Sequence, residues 1–369
     1  MKTGRVGAGA PTIDDVARLA GVSESTVSRA LRSSRPVSEE LRLRVLEAAQ
    51  TLGYSPNPHA QALARSEDAA IGVVVHDSSD PYFVEILRGM LGPAEVGGRM
   101  VLVCDTQRRP DREFQYVRHF RSQRVQALLL AGSGFEDREF GARMTAEIQA
   151  FERAGGRVAL IGRHHILGDS VRPDNEGGAY EMARALTDLG HRRIGVISGP
   201  ASLTTTHDRL TGLQRGLNEA GIELPDRHVV VGDFTRDGGI KGLSQLLEAA
   251  PDLTAVLSLN DVMAIGALHE ARRRGIAVPA DLSIAGFDDI PVAADVWPPL
   301  STVRVPMAEM GARAVELALG PRPTHAQIVR MPTEVILRKS TAPCRLSRPS
   351  SVPVSRAGPR SGARRLTSA

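Results

Sequence analysis

The sequence predicts an α/β protein: a small all-α unit, then a body of two lobes, each a parallel sheet flanked by helices. Three observations predict it. Residues 12–53 carry three short apolar stripes of helical period, punctuated by Gly21 and Ser38. From residue 71, apolar runs alternate with helical stretches, the pattern of parallel strands covered on both faces. Those runs form two series: IGVVV (71–75), MVLVC (100–104), ALLLAG (127–132) and RVALIG (157–162), then RIGVISG (193–199), HVVVGDF (228–234), AVLSLN (255–260) and LSIAGFDD (282–289). Two series imply two sheets and hence two lobes.

Each element has a local reason. Residues 1–11 are Gly-rich, have no apolar period and read as disordered. Thr12 caps the first helix, with Asp15 as the acidic half of a capping box. Ile13, Val16, Ala17 and Ala20 form its stripe, and Gly21 allows a tight turn. Ser23 caps the second helix and Ser38 the third, whose inward face is Leu41, Val45, Ala49 and Leu52. After the eight core strands come STVRVP (301–306), a helix near 307–319 and a last strand near 326–337. Lobe 1 is expected at about 71–170 and 296–323, lobe 2 at 174–290 and 324–338. Residues 339–369 are rich in Ser, Pro and Arg and read as a disordered tail.

Size and charge narrow the function. A chain of 369 residues has room for two or three domains. No apolar run reaches membrane-spanning length, and the N-terminus lacks the apolar core of a signal peptide, so a cytoplasmic protein with no membrane partner is expected. Cys104 and Cys344 cannot build a disulfide framework, and no Cys/His spacing suggests zinc. The net charge of +4 is uneven: residues 1–66 carry +3, residues 341–369 carry +6, and the middle is left at −5. A basic end on an acidic body fits a nucleic-acid module attached to a body of another purpose.

GVSESTVSRALR (21–32) sharpens that reading. Val27, Ala30 and Leu31 give a small apolar side, while Ser25, Ser28, Arg29 and Arg32 share the other. Two short helices joined at a Gly turn, the second facing outward with hydroxyls and guanidinium groups, make a helix-turn-helix suited to the DNA major groove. Arginine pairs with guanine edges, and Ser and Thr reach phosphates or bases.

The wording TIDDVARLAGVSESTVSRALRSSRPVSEELRLRVLEAAQTLGYSPNPHAQALAR (12–65) resembles the N-terminal segment of the LacI–GalR family of transcriptional repressors. The resemblance implies a helix-turn-helix domain over 12–56 and a hinge helix over 57–66. It places operator choice on Glu24 and Ser25, DNA contacts on Thr12, Ser23, Thr26, Ser28, Arg29, Arg32 and Tyr54, and hinge roles on Asn57, Leu63 and Ala64, with Leu63 a minor-groove wedge. Glu24 either accepts from a cytosine amino group or partners the helix dipole and points away from DNA.

The body resembles the same family, and through it the type I periplasmic sugar-binding proteins, over VHDSSDPYF (75–83), DNEGGAYEMARALTDLGHRRIGVISGP (174–200), DRLTGLQRGL (208–217), LNDVMAIGAL (259–268) and LSIAGFDDIPVAADVWPPLSTVRVP (282–306). It implies an effector-binding and dimerising body over 67–338, a homodimer on a near-palindromic double-stranded operator, and a small-molecule effector, a sugar or sugar derivative, with a purine or nucleoside as the alternative. Ligands of open parallel sheets sit at strand carboxyl ends, here Asp77 and Ser79, Asn260, Phe287 and Asp288. The resemblance gives hydroxyl-binding roles to Arg209, Asn260 and Asp288 and ring packing to Tyr82 or Phe83. Gly162 stands where a carboxylate is common, with Arg163 beside it as a candidate contact. His191 reads as structural, and His164–His165 lack a third metal ligand. No nucleophile elbow, P-loop, dinucleotide fingerprint or metal cluster is present, so neither an enzyme nor a cofactor is expected.

Overall fold

The computed structural model describes residues 11–31, 37–54, 70–322 and 324–344. Arg32, Asn57, Leu63, Ala64 and the expected hinge helix lie outside the described residues.

The first unit is three helices: α1 (Ile13–Ala20), α2 (Glu24–Leu31) and α3 (Glu39–Leu52). Thr12 and Asp15 close the capping box in both directions, the Asp15 amide donating to Thr12 Oγ1 at 3.3 Å and the Thr12 amide to Asp15 Oδ2 at 3.0 Å. Gly21 ends α1 in the left-handed region at φ 66°, which only glycine adopts without strain. The Thr26 amide reaches Ser23 Oγ at 3.3 Å, as a cap should, whereas Ser38 makes no side-chain cap. Val16, Ala17, Ala20, Val27, Ala30, Val45, Ala48 and Ala49 form the core. Leu41 and Leu52, expected inside, are only partly covered, and Ala48 takes the place between them.

The body follows in chain order. Its first half is β1 (Ile71–Val75), α4 (Pro81–Val96), β2 (Val101–Asp105), α5 (Pro110–Ser122), β3 (Ala127–Ala131), α6 (Arg138–Arg153), β4 (Arg157–Ile161) and β5 (Asp169–Pro173). Its second half is α7 (Asn175–Asp188), β6 (Ile194–Ser198), α8 (Thr204–Glu219), β7 (Val229–Val231), α9 (Arg236–Ala249), β8 (Ala255–Ser258), α10 (Asp261–Arg273) and β9 (Ser283–Ala285). The chain closes with β10 (Thr302–Arg304), α11 (Met307–Leu319), β11 (Ile328–Met331) and β12 (Glu334–Ile336). One sheet has the order β11-β5-β4-β3-β1-β2 and the other β7-β6-β8-β9, all pairs parallel. β1, β3, β6 and β8 are buried along their whole length, which is why they read as unbroken apolar runs.

The late elements divide between the lobes differently from the expected boundaries. β10 bridges to the end of β9 through Ala285–Ser301 and pairs with β12, so residues near 301–304 belong with the second lobe. α11 returns to pack on α4, where a Cβ at Gly89 would lie 1.9 Å from the Ala308 carbonyl, so the crossing depends on glycine. β11 then joins β5 in the first sheet, through Ile328–Ser170 to Met331–Pro173. The single strand expected near 326–337 is thus two strands in two sheets, and the chain crosses between lobes three times. Residues 339–344, expected in the tail, are ordered: Ser340 is fully buried, its amide on the Pro299 carbonyl and its hydroxyl on the Ile284 carbonyl, and the Cys344 amide holds the Leu189 carbonyl at 2.7 Å. His191 is structural, bridging Thr254 and the Ala342 carbonyl at 3.0 and 3.1 Å.

Candidate DNA interface and interlobe binding site

On α2 the buried residues are Val27 and Ala30, so the opposite face is free. Glu24, Ser25 and Arg29 are exposed, and Thr26 and Ser28 are half-exposed. Ser23, Ser25 and Thr26 share a hydroxyl cluster, with Ser23 Oγ 2.9 Å from both Ser25 Oγ and Thr26 Oγ1. Arg29 lies back along the helix, its Nε donating to the Ser25 carbonyl at 3.1 Å, a weak local bond that a base edge can replace. Thr12 is exposed at the start of α1. Tyr54 packs against the edge of the three-helix core, which limits its part in a DNA contact to what that position leaves accessible.

The second site is a cleft at the carboxyl ends of both sheets, with about 50 Å³ of free space within it. Of the residues named from the sequence, Tyr82, Phe83, Arg163, Arg209, Asn260 and Asp288 line it. Asp77, Ser79 and Phe287 do not. Ser79 hydroxyl and amide both donate to Asp77 Oδ1, at 2.6 and 3.0 Å, so the pair turns on itself. Phe287 is fully buried and forms the floor under Arg209, whose Cζ stands 3.8 Å from its ring centroid.

Arg209 organises the second lobe's wall. It is 4% exposed and donates from Nε to Asn175 Oδ1 at 2.9 Å, from Nη1 to the Leu259 carbonyl, and from Nη2 to Asp288 Oδ1 at 2.8 Å. Asp288 is held at φ 114°, a conformation L-residues rarely adopt, and its amide bonds the Val303 carbonyl. Burial pushes its carboxyl up to about 7; Arg209 opposes that rise and the charge of Asp80 adds to it. Beneath it, Asp261 accepts from Thr302 Oγ1 at 2.6 Å and the Ile290 amide at 2.9 Å, and burial, reinforced by Asp288, raises its carboxyl well above the usual range. Asn260 spends its side chain on the fold, accepting from the Met263 amide at 2.9 Å as the cap of α10 and donating to the Phe234 carbonyl at 3.3 Å.

The first lobe contributes residues that the sequence reading missed: His76, Asp80, Arg108 and Ser133, with Phe234 facing them from the second lobe. Arg108 bonds Asp77 Oδ2 at 2.9 Å and Asp80 Oδ2 at 3.2 Å, and its Cζ lies 5.7 Å from the Phe234 ring centroid across the cleft. Asp80 caps α4 through the Tyr82 amide at 3.0 Å; burial outweighs that bond and the Arg108 charge, and its carboxyl is raised. For Asp77 burial acts the same way, but donation from Ser79 and Arg108 wins and its carboxyl is lowered. Burial, with Asp288 nearby, raises the Tyr82 hydroxyl. His76 is buried and packs its ring 5.4 Å from Phe135 and 6.0 Å from Phe83. Position was the only available signal for these residues: His76 and Thr106 directly follow strand ends, and Arg108 lies two residues further on.

Arg163 ties the lobes together, donating to both Asp208 oxygens at 3.0 Å and to Glu136 at 2.8 Å. His164 Nε2 lies 3.0 Å from the Gly132 carbonyl, and among the described residues no three His, Cys, Asp or Glu side chains group as a metal site.

Comparison with known proteins gives a family for each unit. Residues 12–57 match the family described as bacterial regulatory proteins, lacI family, and residues 183–341 match the periplasmic binding protein-like domain. The HTH-type transcriptional repressor CytR of Escherichia coli K12 is 36% identical over 313 residues, 84% of this chain and 89% of CytR. Among solved structures, the regulator CelR in complex with cellobiose is 29% identical, with a TM-score of 0.66, covering 89% of this chain and 99% of CelR. The lac repressor dimer bound to operator and the anti-inducer ONPF is 27% identical, with a TM-score of 0.74, over 90% of this chain and all of the other. A DNA-reading helix on a small three-helix unit, a two-lobed body and a buried polar cleft thus occur together in one chain, and that chain belongs to the LacI family of bacterial transcriptional regulators.

Proposed function

We propose that this regulator is a repressor that grips an inverted-repeat operator as a homodimer, and that a neutral polyhydroxylated ring held between the lobes sets its DNA affinity. The relatives named above are repressors and DNA-binding regulators, not enzymes. The observation that carries the effector class is charge pairing: Arg108 is matched by Asp77 and Asp80, Arg163 by Asp208 and Glu136, and Arg209 by Asp288. An anionic ligand would meet two buried carboxylates and no uncommitted cation among these groups. Hydroxyls suit the same walls, donating to Asp288 or Asp80 and accepting from a guanidinium. Tyr82, Phe234 and His76 supply flat surfaces for a ring. The cellobiose bound by CelR is a ligand of this kind. A nucleoside is the second reading, favoured by His76 and Phe83, whose rings stand 6.0 Å apart in the cleft wall.

Dimerisation is assigned to the open edge of the first sheet. β2 is an edge strand, yet Leu102 and Val103 are exposed, with Met100 and Leu91 exposed beside them. An apolar edge of this sort marks an association surface.

Calorimetric titration with neutral sugars and nucleosides against their phosphate esters tests the effector class. At least one neutral compound is expected to bind, with its phosphate ester at least about tenfold weaker. Tighter binding of the ester would overturn the reading.

A further inference from the structure

We infer that the base of the first lobe is a second DNA contact, one that grips phosphates beside the operator and reads no sequence. The base is the edge opposite the cleft, where the strands begin. The Gln126 amide holds the Ala70 carbonyl at 3.0 Å, the Ile71 amide holds the Met100 carbonyl at 2.8 Å, and the Arg157 amide holds the Gln126 carbonyl at 3.0 Å. The turns leading into β1, β2, β3 and β4 therefore stand together, and the chain arriving from the DNA-reading unit enters at this edge. Residues 55–69 join the two, a span of at most about 54 Å at roughly 3.3–3.6 Å per residue, so the DNA-reading unit is tethered to this edge.

A shallow groove lies here, lined by Gln115, Arg118, His119, Arg121, Ser122, Arg124 and Ala154. It contains no acid, although residues 67–340 carry a net −5. Arg121 is tied to Glu147 at 2.8 Å, but Arg118 and Arg124 are exposed with no carboxylate within 4.0 Å among the described residues. The dipole of α5 accounts for cations in its last turn, His119 and Arg121. It does not account for Arg124, which lies past the helix end in a left-handed turn at φ 54°. Arginines with Ser and Gln beside them are the side chains that hold phosphate oxygens, and a duplex is the polyanion this chain is built to meet.

The test compares two duplexes, the inverted repeat alone and the same repeat with flanks of about twelve base pairs, titrated over a range of KCl concentrations with the full chain. Each phosphate contact contributes about 0.9 to the log–log salt slope. Arg118→Ala/Arg124→Ala should make the slope shallower by about 0.9 for each arginine removed, on the flanked duplex only, and weaken binding there about tenfold near physiological salt. Arg227→Ala, an exposed arginine of the second lobe, should leave both slopes unchanged. An unchanged slope on the flanked duplex, an equal loss on the short one, or the same loss from Arg227→Ala overturns the proposal. A wild-type chain that binds neither duplex would instead overturn the DNA-binding assignment itself.

Discussion

At the residue scale the cleft turns on Arg209 and Asp288. Three bonds to three partners fix the guanidinium, and one of those partners is the acid offered to the ligand. Arg209→Lys keeps a cation beside Asp288 but cannot hold all three partners in one plane. Effector affinity should fall at least about tenfold while the melting transition stays cooperative; calorimetry beside a thermal melt checks this, and unchanged affinity would remove Arg209 from the site. Asp288 gives a pH dependence. With its carboxyl raised to about 7, the folded chain keeps a proton that the unfolded chain releases above the ordinary value of 3.8. Its contribution to stability is therefore complete below that ordinary value and lost as pH rises through about 7. Ligand binding runs the other way, because only the charged form accepts from two hydroxyls. Affinity for a neutral effector should rise about tenfold between roughly pH 6 and 8; a flat profile would show that Asp288 does not accept from the ligand. Arg209 and Asp288 were legible because they stand in recognisable segments. Arg108 and Asp80 were not, because ion pairs between side chains 28 residues apart leave no local pattern.

At the element scale, α2 shows how a short helix can be read from its faces. Its small apolar side dictated which residues turn inward, and Ser25, Thr26, Ser28 and Arg29 were left outside. Arg29→Ala should cost about 1–3 kcal/mol on the cognate operator and far less on unrelated DNA. Equal losses on both would make Arg29 a phosphate contact. The strand that escaped notice was β5, and the one strand expected near 326–337 is the pair β11 and β12. β5 reads DSVRP, with Asp169 and Ser170 buried by side-chain bonds and backbone ladders instead of by apolar character. β11 and β12 are separated by two residues yet join different sheets, an outcome of tertiary pairing that local pattern does not encode.

At the scale of the whole molecule, three chain crossings and the Arg163–Asp208 pair join the lobes, and the proposed control of DNA affinity requires that a ligand change their relation. Two DNA-reading units become useful together only if the bodies pair. Val103→Lys, on the exposed edge of β2, should give a monomer by analytical ultracentrifugation and weaken operator binding at least about a hundredfold through lost avidity. A dimer that persists would move the interface elsewhere. Two lobes were legible from two series of apolar runs; which late segment serves which lobe was not.

The central claim is that the cleft and the DNA-reading helices are coupled through one equilibrium. The most direct measurement is the dissociation constant for the inverted-repeat duplex, by fluorescence anisotropy, with and without a saturating effector found by the calorimetric titration. A coupling of about 1–3 kcal/mol predicts a change of roughly 5- to 150-fold, matched by the same factor in effector affinity when operator is bound. Identical operator affinity in the presence and absence of a ligand that demonstrably fills the cleft would contradict the account.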